Sequence, residues 1–116
     1  MKNKCLFCKI VNKQISSDFV YEDENVYAFK DIQPKAPIHV LVVPKIHCDS
    51  LVFLDEKNVE MLAPLFLAAK KIASQYHILE RGFRTVINCN PEGGQTVYHL
   101  HLHLLGGKQL GGAMVS

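Results

Sequence analysis

The sequence predicts an α+β domain built on an antiparallel sheet of about five strands, with one long helix and a short N-terminal helix. Two observations lead there. The predicted elements run strand, strand, strand, helix, strand, strand, so the helix does not alternate with each strand as it would in a parallel α/β sheet. The chain has 116 residues and no internal repeat, low-complexity run or linker-like stretch, which predicts a single domain over residues 1–116. A chain of that size buries enough apolar surface to fold without disulfides.

Each element has a local reason. Residues 5–11 read as a short helical turn with Leu6, Phe7, Ile10 and Val11 facing inward. Residues 19–22 and 25–32 read as two strands joined by the acidic turn Asp23-Glu24. Pro34 and Pro37 forbid regular structure over 33–37. The β-branched, apolar run 38–43 is a buried strand that Pro44 stops. The long helix is expected from about Asp55, as N-cap, to about Gln75, with Met61, Leu62, Leu65, Ala68, Ala69 and Ile72 inward. Pro64 falls inside it and predicts either a kink or a later start. Residues 83–89 form another strand, 90–94 a turn, and 96–105 the last strand, which Gly106-Gly107 ends.

Composition narrows the function. Thirteen Lys and Arg against eleven Asp and Glu leave a net charge of +2, with no basic run, so nucleic acid is not an expected partner. The longest nearly apolar stretch, 61–69, is about half the ~20 residues of a membrane span, so no membrane is expected either. Met1-Lys2-Asn3-Lys4 is followed by only a few apolar residues, unlike a secretory signal. The expected compartment is cytoplasmic, where the four cysteines stay reduced.

Three of the six histidines fall in one heptapeptide, His99-Leu100-His101-Leu102-His103-Leu104-Leu105. In a strand, this spacing puts His99, His101 and His103 on one face and Leu100, Leu102 and Leu104 on the other, in the core. Histidine has no special preference for strands, so its alternation asks for a chemical reason. Three imidazoles on one face suit a catalytic metal, or a nucleophile whose neighbours orient it or donate protons. The preceding segment, Asn90-Pro91-Glu92-Gly93-Gly94-Gln95-Thr96, is a glycine-bearing turn whose N–H groups can converge on an anion, and Thr96 adds a hydroxyl. An anion cradle leading into imidazoles favours attack on a phosphate.

The heptapeptide resembles the signature of the histidine triad (HIT) family, His-x-His-x-His-x-x with apolar x. The resemblance covers nearly the whole chain. Phe29-Lys30-Asp31-Ile32, the Pro34 to Pro37 segment, Ile38-His39-Val40-Leu41-Val42-Val43-Pro44-Lys45 and Gly93-Gly94-Gln95-Thr96-Val97-Tyr98 all look like its Hint branch. Members of that branch are small dimeric nucleoside phosphoramidases that bind purine nucleotides. The Fhit branch, which cleaves dinucleoside polyphosphates, fits the Gly-Gly-Gln and Leu-Gly-Gly flanks less well.

The resemblance implies the HIT fold and hydrolysis of the P–N bond of purine nucleoside 5′-phosphoramidates. It implies that His101 is the nucleophile, attacks the α-phosphorus and is transiently nucleotidylated before water releases the nucleotide. His103 would contact the phosphate beside the Gly94 and Gln95 backbone and the Thr96 hydroxyl. His39 would lie near the triad and position it or shuttle protons, and His99 would complete the catalytic set. Asp31 is expected on the ribose hydroxyls, Ile32 beside the sugar, Asn88 on sugar or phosphate, and Phe7, Ile10 and Phe29 around the purine. Taken alone, Asp31 reads as a solvated strand cap, Asn88 as turn chemistry and the three apolar residues as core. A pocket of that kind reads base shape loosely.

Cys5-Leu6-Phe7-Cys8 has the spacing of a zinc half-site or a redox pair, and no thioredoxin-like βαβ pattern surrounds it. Some HIT proteins hold a structural zinc with such a pair, a histidine after the Pro-Lys segment and the first triad histidine. Those positions here are Cys5, Cys8, His47 and His99. No catalytic metal or organic cofactor is expected, whereas a metal held by all three triad histidines would make activity sensitive to chelation.

The expected partners are a purine nucleotide such as AMP or a phosphoramidate, and a second copy of the chain. Leu67 and Ala63, on the outward side of the helix, are the sequence's own support for a homodimer. Many Hint proteins carry an aromatic tail that reaches the partner's site. Here the last residues are Gly111-Gly112-Ala113-Met114-Val115-Ser116, which leaves the leaving group open. Alternatives are dinucleoside polyphosphate hydrolysis or nucleotidyl transfer, and a nucleotide-sensing scaffold with little catalysis.

Overall fold

Alternating side chains on one antiparallel sheet sort the core into two layers. A computed structural model describes residues 5–112; residues 1–4, and the end of the tail from 113 onward, lie outside the described residues. The strands are β1 (Phe19–Glu22), β2 (Val26–Lys30), β3 (Ile38–Pro44), β4 (Arg84–Val86) and β5 (Leu102–Gly106), with α1 (Leu6–Val11) and α2 (Leu62–Gln75). The sheet order is β1-β2-β3-β5-β4, and every pairing is antiparallel. Val26, Ala28, Val40, Val42, Leu102 and Leu104 form one core with Leu65, Ala68, Ala69 and Ile72 of α2. The opposite-facing Tyr27, Phe29, Leu41 and Val43 pack with Phe7 and Ile10 of α1. Six residues are too few for a helix to persist alone, so α1 depends on the burial of Phe7 and Ile10, each contributing about 1.5–3 kcal/mol.

The long helix starts later than Asp55. The Asp55 carboxylate accepts the N–H groups of Lys57 and Asn58, which closes a turn instead of opening a helix. A single 3₁₀ turn, Val59–Met61, follows, and α2 begins at Leu62. Pro64 thereby sits in the first turn, where its missing N–H leaves no intrahelical bond unmade. The inward face is the expected one, with Ala73 added.

The last strand is shorter than the expected 96–105. In the β3–β5 register Val42 stands opposite Leu102, and two residues further on Pro44 faces Leu100 without a donor to offer. Leu100 N–H instead donates to the Cys48 carbonyl at 2.6 Å, so His99 and His101 precede the ladder. The same ending shortens the expected strand 83–89 to Arg84–Val86, because Val86 already pairs with His103 and the partner strand stops one residue further on. The alternation of side chains survives: Leu100, Leu102 and Leu104 are all within 1% of full burial, on the α2 side. No helix among the described residues is long and apolar enough to cross a membrane.

Candidate active site

His101 lies where the chain enters β5, and its ring is wedged edge-on against Phe7 of α1, with centroids 5.0 Å apart. Its Nδ1 is 2.7 Å from the His99 carbonyl. A carbonyl only accepts, so Nδ1 carries the proton and Nε2 keeps the lone pair. Burial pushes the His101 pKa below its ordinary value, so the ring is neutral near pH 7.

His103, two residues on, has the opposite polarity. Lys35 donates its backbone N–H to His39 Nδ1 at 3.0 Å, so His39 is neutral with its proton on Nε2. That Nε2 is 2.9 Å from His103 Nδ1 and 3.4 Å from Asp31 Oδ2. His103 Nδ1 must therefore accept, which leaves the His103 proton on Nε2. Burial, with His101 and His39 adjacent, pushes His103 down to about 4, and burial also lowers His39 against the opposing pull of Asp31. Among the described residues, no buried side-chain nitrogen or oxygen lacks a partner, so the unpartnered Nε2 atoms of His101 and His103 both reach the surface. Two rings 5.0 Å apart thus present a lone pair and an N–H side by side.

Asp31, His39 and His103 also lie close enough to suggest a metal triad. The Lys35 N–H argues against that use, because a metal on His39 Nε2 would require the proton on Nδ1, facing another donor. The trio is built as a directed hydrogen-bond chain.

His99 turns away from this pair. Its ring is fully buried, Nε2–H donates to the Pro44 carbonyl at 2.8 Å, and Nδ1 faces Cys5 Sγ at 3.4 Å and Cys8 Sγ at 3.5 Å. Both nitrogens are committed, so what His99 offers His101 is its carbonyl and not its imidazole. His47 points Nδ1 at Cys8 Sγ, 3.2 Å away, and donates Nε2–H to Asp49. A tetrahedral zinc with ordinary Zn–S and Zn–N bonds separates its sulfur and nitrogen ligands by about 3.5 Å. Cys5, Cys8, His47 and His99 match that spacing, with both imidazole lone pairs turned inward and both outer N–H groups held by oxygens. The four residues fit zinc, and all four cysteines of the chain are free of disulfides.

The turn before the triad is tightly self-bonded. Gly93, Gly94 and Gln95 donate their N–H groups to the carbonyls of Asn90, Pro91 and Asn90. Thr96, whose N–H and hydroxyl have no partner among the described residues, offers donors outward from the turn. Gly94 sits at φ +88°, where a side chain would be strained, and packs beside the Asn88 carboxamide. Ile32 is 92% exposed next to half-buried Asp31, whereas Phe7, Ile10 and Phe29 are buried in the α1 layer. Sequence reasoning missed Lys35, which acts through its backbone, and Asp49, which holds the His47 ring; no side-chain pattern announces either.

A model of the HIT domain matches residues 12–110. The purine nucleoside phosphoramidase of Escherichia coli K12 is 43% identical over 111 residues, covering 96% of this chain and 93% of that protein. The 14 kDa zinc-binding protein of Zea mays is 50% identical over 108 residues, covering 90% and 83%. The 0.95 Å structure of a histidine triad protein from Clostridium difficile superposes with a TM-score of 0.90 at 47% identity, covering 92% of this chain and 93% of that one. With the motif, the sheet order and this similarity in agreement over nearly its whole length, the chain belongs to the histidine triad family.

Proposed function

We propose that this protein is a purine nucleotide-binding hydrolase that cleaves the P–N bond of nucleoside 5′-phosphoramidates through His101. The observation that carries the reading is the pair of surface-reaching Nε2 atoms, a lone pair on His101 and an N–H on His103. A neutral imidazole is a competent nucleophile at neutral pH. Nε2 bonds to the α-phosphorus as the P–N bond breaks, and the departing nitrogen takes up a proton from solvent, which leaves a cationic nucleotidyl-imidazole that keeps its Nδ1 proton. Water then bonds to phosphorus as Nε2 leaves with its electron pair, which releases a proton to solvent and restores the neutral ring. His103 Nε2–H and the Thr96 donors stabilise charge on the phosphorus oxygens from fixed positions. Asp31, Ile32 and Asn88 take the sugar, and the Phe7, Ile10 and Phe29 layer backs the base.

Cys5, Cys8, His47 and His99 hold a structural zinc, which supplies cross-linking of α1 to the segments around Pro44 and His99 and no chemistry. The similarity to an E. coli phosphoramidase and a maize zinc-binding protein supports both parts of the reading. The protein is a cytoplasmic homodimer across which, by the family resemblance, the sheet extends, and the exposed Phe66 and Leu67 on the outward side of α2 support a second copy there.

Hydrolysis of an AMP–amine phosphoramidate by wild type and a folded His101→Ala variant, both with a chelator, tests this. Turnover by wild type that drops at least about 10³-fold in the variant is expected. Tight AMP binding without turnover overturns it; cleavage of a dinucleoside polyphosphate in that case identifies the other branch of the family.

A further inference from the structure

We propose that the Gln95 side chain couples the zinc centre to the nucleotide site, so that zinc and nucleotide tighten each other's binding. The nucleotide half of this rests on the function proposed above. Gln95 is 95% buried although it lies in a polar, otherwise exposed turn, and its carboxamide is fully used. Oε1 accepts the Asn90 N–H at 2.8 Å, and Nε2 donates to the Asp49 carbonyl at 2.7 Å and the Val97 carbonyl at 3.0 Å. The first bond holds the start of the turn, the last holds its end, and the middle one ties both to a loop 46 residues earlier.

Asp49 is the joint. Its carbonyl holds the turn, and its carboxylate holds Nε2–H of His47, whose Nδ1 faces Cys8 in the zinc set. One residue back, the Cys48 carbonyl takes the N–H of Leu100, between His99 and His101. A metal on His47 Nδ1 makes the Nε2–H a stronger donor and fixes the ring, so the Asp49 segment is held where Gln95 needs its carbonyl. A phosphate held at Thr96, next to Gln95, orders the same turn and passes the restraint back through the same bonds. Two ligands that each order one shared element bind cooperatively, and the factor is the same read from either side.

The experiment reads zinc affinity, not catalysis. The zinc-loaded protein is titrated with a competing chromogenic chelator, with and without saturating AMP, for wild type, Gln95→Met and Gln95→Glu. Met keeps the volume and removes all three bonds. Glu keeps the acceptor for Asn90 and loses both donors. AMP binding to the loaded proteins is measured separately by calorimetry. AMP is expected to raise zinc affinity of wild type about tenfold, within the usual range of coupling, and less than about twofold in either variant. Either folded variant answers for Gln95 if the other fails to fold. AMP binding that leaves wild-type zinc affinity unchanged overturns the coupling alone. A variant that melts earlier yet keeps the full factor reduces Gln95 to a structural role and also overturns it. Absence of AMP binding to wild type overturns the nucleotide reading and the coupling together.

Discussion

His39 Nε2 donates to His103 Nδ1 across 2.9 Å, and the direction of that bond is set by the Lys35 backbone N–H on the far side of the His39 ring. A main-chain donor in the 33–37 segment thus decides which nitrogen of a triad histidine carries the proton. His39 and His103 come from adjacent strands on the α1 face of the sheet, where β3 and β5 pair with Leu41 opposite His103.

Removing the donor should therefore disturb catalysis more than binding. His39→Phe is expected to lower kcat on a phosphoramidate on the order of 10²-fold, with AMP affinity changed only a few-fold. His39→Gln, which can still donate to His103, should recover part of the loss. Equal loss in both variants, or a loss confined to KM, would contradict the directed chain.

Acid should destabilise the fold through the same pair. His103 titrates near 4 in the folded chain against 6.5 ordinarily, and His39 is also lowered. The unfolded chain therefore binds more protons between these values, and the stability held above pH 6.5 is lost as pH falls toward 4. The groups around His103 are His101, His39, Asp31 and Lys35. Thermal melts of zinc-loaded protein should fall over this interval, and less steeply in His103→Gln, where the lowered His39 and His101 still contribute. An unchanged slope in that variant would place the effect elsewhere.

Zinc should act on stability. Cys8→Ser removes one thiol of the proposed zinc set, at a position of α1 that is 8% exposed. At a thousandfold excess of zinc over its Kd, a site worth about 4 kcal/mol is lost, and Tm is expected to fall on the order of 10 °C. Scanning calorimetry with and without zinc distinguishes the cases: wild type should respond to the metal and Cys8→Ser should not.

Leu67→Glu places a charge on the exposed apolar side of α2, away from Leu65, Ala68 and Ile72, which face the core. Sedimentation is expected to show a folded monomer in place of a dimer, with the melting transition of each chain still cooperative. A Leu67→Glu dimer would move the interface off this helix.

The α+β class, the alternation of His and Leu at 99–104, the inward face of α2 and the Cys5, Cys8, His47, His99 set were all legible in the chain. Periodicity and residue chemistry are local properties, and the family resemblance supplied the pairing of distant ligands. Strand ends were not legible, because β5 begins at Leu102 only where Pro44, on another strand, has no N–H to offer. Nor were the proton positions on His101 and His103. Those depend on the His99 carbonyl and, through His39, on the Lys35 N–H, and an imidazole has two equivalent choices until such a neighbour is fixed beside it. Gln95 shows the same division: its backbone place in the turn is local, but its side chain meets Asp49 only after the sheet has brought the two loops together.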